Sequence, residues 1–148
     1  MCRCVNRICL LCHNNEETIT HLLYECQHVK PVWLLLGEIL VKIIDKFDLN
    51  DVKIILFVSD VHSNNFNKNE TLLINYVTTI TKWLLWKHRN DFKYGNLPIK
   101  TISEKLTVIK KIICTEFDIF LKTRYVDKCD NNLLMLISKL RKLLTSDS

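Results

Sequence analysis

The sequence predicts an all-α fold in which a small cysteine- and histidine-rich lobe docks on an irregular helical body with two long helices. Three observations predict it. Apolar residues recur every three or four positions along most of the chain, the period of a helix with one buried face. Only two glycines and two prolines interrupt 148 residues, so chain breaks are confined to a few places. Near the start, "CLLCHNNEETITHLLYEC" (Cys9–Cys26) holds three cysteines and a histidine spaced C-x2-C-x8-H-x4-C.

The elements follow in order. Thr18 can N-cap a short amphipathic piece that runs to about Glu25. Pro31 suits a first helical turn and opens a helix to about Phe47, with Trp33, Leu36, Leu40, Ile43, Ile44 and Phe47 mostly at helical spacing. "DLNDVKIILFVSDV" (Asp48–Val61) is a short buried segment whose pattern fits helix or strand. "HSNNFNKN" (His62–Asn69) is a polar loop. Glu70 to about Tyr94 reads as a long helix with Leu73, Val77, Ile80 and Leu84 on one stripe, stopped by Gly95 and Pro98. A second runs from about Thr101 to Tyr125, with Ile102, Leu106, Ile109, Ile113, Phe117 and Phe120 inward. Asp130 can cap a last helix, Asn131 to Leu144.

Composition narrows the class. Hydrophobic residues make up 48% and charged residues 25%, a soluble globular balance. The apolar run "VWLLLGEILVKII" is broken by Glu38 and Lys42, short of the ~18 uncharged residues of a membrane span. "MCRCVNR" has no apolar core of a secretory signal. An intracellular, reducing compartment is expected, with nucleus and cytoplasm both open. Seven cysteines there read as thiols or metal ligands rather than disulfides. Charge is uneven: residues 1–74 hold 7 Lys/Arg and 9 Asp/Glu, whereas residues 75–148 hold 14 and 7. The basic half is where a polyanion would bind.

The four spaced side chains point to a metal. Zinc favours thiolate and imidazole in a tetrahedron, and structural sites draw ligands from two short pairs. Cys9 and Cys12 flank a turn that can aim both sulfurs at one point; His21 and Cys26 form the second pair. Five residues rotate an α-helix by about 140°, so these two cannot share a helical face. The pair works if His21 projects from the helix and Cys26 lies in the turn just past its end. Cys2, Cys4, His13 and His28 lie close enough to substitute. This divides the chain into a CCHC zinc-binding lobe, residues 1–30, and a helical body, residues 31–148, with a basic C-terminal half. The lobe is poor in apolar residues, so Zn2+ would supply much of its folding energy.

"CLLCHNNEETITHLLYECQHVKPVW" resembles the zinc-binding domain at the C-terminus of reverse transcriptases from non-LTR (LINE-type) retrotransposons. Glu16, Glu17, Thr18, His21, Leu22, Cys26 and Trp33 match that pattern in place, and "KWLLWKHRNDFKYG" (Lys82–Gly95) resembles a W-K-x-R-N helix end common after it. The resemblance covers about Cys9 to Gly95. It implies zinc at Cys9, Cys12, His21 and Cys26, and a chain that is the tail of a longer element protein, lying beside a reverse transcriptase domain. Leu10 and His13 depart from the Pro and Gly often found after the two first cysteines. Without that Gly, Asn14 or Asn15 is expected to supply the positive φ of the turn.

No Asp-Asp pair occurs, so no polymerase metal site is present and no enzyme is expected. The resemblance implies a module that helps hold RNA or target DNA. Lys82, Lys87, Arg89 and Lys93 are the expected phosphate contacts, with single-stranded RNA or DNA as partner. Trp83 and Trp86 lie among them; core positions are expected for both, although an exposed indole could stack on a base. The alternative is a helical protein-interaction or scaffold module that packs on the polymerase.

Overall fold

The computed structural model describes residues 7–47, 66–123 and 130–146. The Asp48–Val61 segment, the first half of the His62–Asn69 loop, Cys2 and Cys4 lie outside them. Within the described residues the protein is all-α. A π-helical turn (His21–Glu25) is followed by α1 (Lys30–Val41), α2 (Lys68–Gly95), α3 (Ile102–Lys122) and α4 (Asn131–Thr145). A single antiparallel bridge, Ile8 to Glu16, closes the N-terminal loop.

Helix starts are written locally. Pro31 occupies the first turn of α1, where its missing N–H has no partner to lose. Asn67 opens α2 with a capping box: its side chain accepts from the Glu70 N–H while the Glu70 carboxylate accepts from the Asn67 N–H. Thr101 and Glu104 repeat the arrangement at α3. Asp130 accepts from the Asn132 N–H and also from the Asn69 side chain, so the starts of α4 and α2 are tied together.

Helix ends differ from expectation. α1 stops at Val41, not near Phe47. The apolar period continues because the Ile44 and Phe47 N–H groups bond back to Leu40 and Ile44, which keeps both side chains buried. Periodicity reports burial, and burial outlasts the regular helix here. α2 ends on Gly95, but the left-handed residue behind it is Asn96, at φ 52°. α3 ends at Lys122, three residues short of Tyr125.

α2, α3 and α4 pack against one another, α1 lies on α3 and α4, and the π turn rests on α2 and α1. One cluster of buried side chains runs from Cys9 and Cys26 through Val32 and Leu36 to Ile74, Ile113 and Leu140, so lobe and body share a core. Tyr76 and Phe117 stack with ring centroids 5.3 Å apart. Arg141 of α4 grips Asp118 of α3 through two hydrogen bonds. No helix among the described residues is long and apolar enough to cross a membrane.

The linker after α2 is held by a buried imidazole. His88 Nε2 accepts from the Lys100 N–H at 3.3 Å. Burial, with the nearby Lys105 and Lys100 charges, pushes His88 down to about 4. An unfolded histidine binds its proton near pH ~6.5, so between these values the unfolded chain carries the extra proton. His88 therefore contributes its full stability above about pH 6.5, and that contribution is lost as pH falls toward 4. His88→Gln, which keeps an acceptor without the titration, should flatten the decline. Urea unfolding of parent and variant at pH 7 and pH ~4.5 checks this; parallel declines would assign the acid sensitivity to other groups.

Candidate metal centre

The N-terminal loop aims the first ligand pair. Cys9 N–H bonds to Asn15 O at 2.8 Å and His13 N–H bonds to Cys9 O at 2.9 Å, so the chain folds tightly around Cys9 and Cys12. The turn demands one left-handed residue, and His13 itself takes it, at φ 57°. This corrects the expectation that Asn14 or Asn15 would. Histidine is among the few residues besides glycine and asparagine that visit this region with some frequency. The backbone N–H groups of Asn14 and Asn15 are thereby left to face the Cys12 sulfur.

The second pair comes from the π turn. Just ahead of it, the Thr18 hydroxyl accepts from the His21 N–H at 3.0 Å. The Cys26 N–H reaches back to His21 O at 2.9 Å. That five-residue closure places Cys26 directly beside His21, which α-helical spacing forbids. Cys26 then leaves the helix in an extended conformation, as the spacing requires. Trp33 of α1 braces the turn, donating from Nε1 to Leu23 O at 2.7 Å.

The four side chains meet. One ligand atom from each of Cys9, Cys12, His21 and Cys26 lies within 4.8 Å of all the others, and all four residues are buried. Cys9 Sγ is 3.9 Å from Cys26 Sγ, and Cys12 Sγ is 3.3 Å from His21 Nε2. A tetrahedron with Zn–S of ~2.3 Å and Zn–N of ~2.0 Å has edges near ~3.8 Å and ~3.5 Å, so the cage has the size of a zinc site. His21 Nδ1 is buried without a hydrogen bond. His13 is exposed and His28 half-buried, and neither joins the group.

Charge argues the same way. Burial raises the Cys12 pKa, but N–H groups of Asn14 and Asn15, with His21 and Cys9, outweigh it and leave the thiol at about 6. The shift favours the thiolate, which is the ligand form. Burial pushes Cys26 up to about 12 against the help of the His28 N–H, and the Cys9 and Cys12 charges add to the rise. Three sulfurs cannot all ionise in this space alone. A divalent cation at their centre reverses the balance. With four protein ligands and no open position, such a centre is structural.

The expected phosphate contacts divide. Lys87 is exposed and pairs with Asp91 at 2.7 Å. Lys93 is exposed, its Nζ 5.0 Å from the Tyr94 ring centre. Lys82 is half-buried, and burial lowers its pKa. Arg89 is buried and grips Glu17 through both Nε and Nη2, while Nη1 donates to Asn90. Arg89 therefore ties α2 to the lobe, its guanidinium already held by Glu17. Its side chain falls on the stripe of Leu85 and Thr81, which the core occupies. The two tryptophans also correct the expectation: Trp83 and Trp86 are each 51% exposed. Trp83, Trp86, Lys87, Asn90, Lys93 and Tyr94 span an arc of roughly 120° at ~100° per residue. Sequence reasoning missed Tyr94 as a member of this face and Glu17 as the partner of Arg89, a pairing that spans 72 residues and has no local signal.

Comparison of the chain with protein-family models, with curated proteins and with solved structures finds no match.

Two substitutions test the centre. Cys26→Ser should weaken zinc binding by more than the ~100-fold that loss of an outer partner can cost, read by chelator competition. His13→Gly should leave zinc stoichiometry unchanged and raise stability by about 1 kcal/mol, because it removes left-handed strain from a residue that is no ligand. Loss of metal in His13→Gly would make His13 a ligand.

Proposed function

We propose that this chain is a zinc-binding, nucleic-acid-binding module of the kind found at the C-terminus of non-LTR retrotransposon reverse transcriptases, and that it has no catalytic step of its own. The observation that carries the reading is the convergence of Cys9, Cys12, His21 and Cys26 within 4.8 Å, on the residues through which the sequence resembles that domain. Zn2+ is the ion best suited to three thiolates and an imidazole at tetrahedral spacing. The ion fixes the lobe, and the lobe is anchored on α2 by the Arg89–Glu17 pair. α2 in turn presents Trp83 and Trp86 to solvent.

Single-stranded RNA or DNA suits that face. Exposed indoles offer stacking platforms to any base, and Lys87 and Lys93 offer charge to the backbone beside them. The basic half of the chain, 14 Lys/Arg against 7 Asp/Glu over residues 75–148, favours a polyanion at long range. A scaffold role, packing on a polymerase domain, is the second reading. It is favoured by exposed Leu72 and by the apolar cleft that Leu72, Tyr76, Phe120 and Leu133 line between α2, α3 and α4.

Binding of a fluorescent single-stranded RNA across a salt series separates the two. Affinity should fall with salt by roughly 0.7 log units per decade for each neutralised phosphate. The double variant Lys87→Glu/Lys93→Glu should flatten that slope. Trp83→Ala and Trp86→Ala should each lose about 1–3 kcal/mol with the slope unchanged. No binding at low salt, or indifference to all four substitutions, transfers the assignment to the scaffold role.

A further inference from the structure

A lysine sits where the core should be apolar. Lys105 occupies the inward stripe of α3 with Ile109 and Ile113, and only 3% of it is exposed. An ammonium at such a place is destabilising unless something negative faces it. Among the described residues no carboxylate pairs with it. Its Nζ instead donates to the His28 carbonyl at 2.8 Å. His28 follows Cys26 by two residues, and its backbone N–H eases the ionisation of the Cys26 sulfur. One residue of backbone therefore connects the ammonium of α3 to a ligand of the metal centre.

We propose that Lys105 is the buried counter-cation of the metal centre, a positioning residue that holds the His28 backbone against Cys26 and neutralises the charge of the loaded site. The inference rests on the zinc reading of the four ligands. A divalent ion bound by three thiolates and a neutral imidazole leaves one net negative charge, buried here beneath the helical body. Burying that charge alone is expensive, and burying the ammonium alone is too. Placed together they cancel. Burial lowers the Lys105 pKa, and a negative charge on Cys26, the state a bound metal ion would stabilise, opposes that fall. The arrangement also accounts for a lysine at this one position of the stripe, where its Nζ meets the His28 carbonyl. The same bond holds the turn after Cys26, where the Val29 and Lys30 N–H groups both bond to Cys26 O at 2.8 Å.

The test uses the full chain with Zn2+ or Co2+ alone, comparing the parent with Lys105→Met, which keeps the stem, and Lys105→Arg, which keeps the charge. Circular dichroism establishes that each is folded; Lys105→Gln replaces the methionine variant if that one is not. In chelator competition the neutral variant should bind zinc about tenfold more weakly or worse, the range seen for loss of an outer-shell partner, while the arginine variant stays near the parent. In the Co2+ form, loss of the cation should move the sulfur-to-cobalt charge-transfer band to lower energy while the d–d bands keep their tetrahedral pattern. A folded neutral variant with parental affinity and an unmoved band overturns the proposal. So does loss of the tetrahedral pattern in both variants alike, which would make Lys105 a packing element only. A parent chain that takes up no metal overturns the zinc reading and this inference with it, whereas a metal-binding parent with an indifferent Lys105→Met overturns this inference alone.

Discussion

Three sulfurs and an imidazole held within 4.8 Å of one another are an electrostatic constraint before they are a binding site. Thiolates that close repel, and burial denies them water. The opposite directions of Cys12 and Cys26 follow: one is eased by N–H groups of the loop, the other is driven up by burial and its neighbours. The rest of the lobe is arranged around this problem. The left-handed His13 frees N–H groups for Cys12, and the π turn delivers His21 and Cys26 as neighbours. π turns are rare and concentrate at functional sites, where an ordinary helix would misplace a side chain.

The lobe is too small to bury much by itself, and it is joined to the body by polar ties as well as by shared core. Arg89 reaches Glu17, Trp33 reaches Leu23 O, and Lys105 reaches His28 O. Each tie comes from a different helix, so α1, α2 and α3 all register the position of the ligand loop. A buried ion pair such as Arg89–Glu17 stabilises little relative to an apolar pair, but removing one partner costs about 3–5 kcal/mol. Such ties therefore specify one docking geometry rather than simply adding stability.

The outer side of α2 shows the complementary effect. With Leu73, Ile74, Val77 and Leu85 committed to the core, the opposite arc is free to carry Trp83, Trp86 and Tyr94. Large aromatics left half in water forgo part of the hydrophobic free energy that burial would give them. Lys87 and Lys93 stand beside them, on the same arc of α2.

What the sequence alone determined was whatever a short stretch of chain decides. The ligand set was legible because metal spacing is local, and helix starts at Pro31, Thr101 and Asp130 were legible because a cap needs only its next three residues. The all-α class followed from period alone. Tertiary structure decided the rest. Nothing in the chain near Arg89 announces that Glu17, 72 residues away, will claim its guanidinium. Trp83 and Trp86 fit an apolar stripe as well as an exposed one, and which they became depended on where α3 and α4 lie. Lys105 acquires its partner only when the turn after Cys26 is laid across it, 77 residues away in sequence. Burial of a long or amphipathic side chain is set by the partner that comes to cover it, and that partner is distant in sequence.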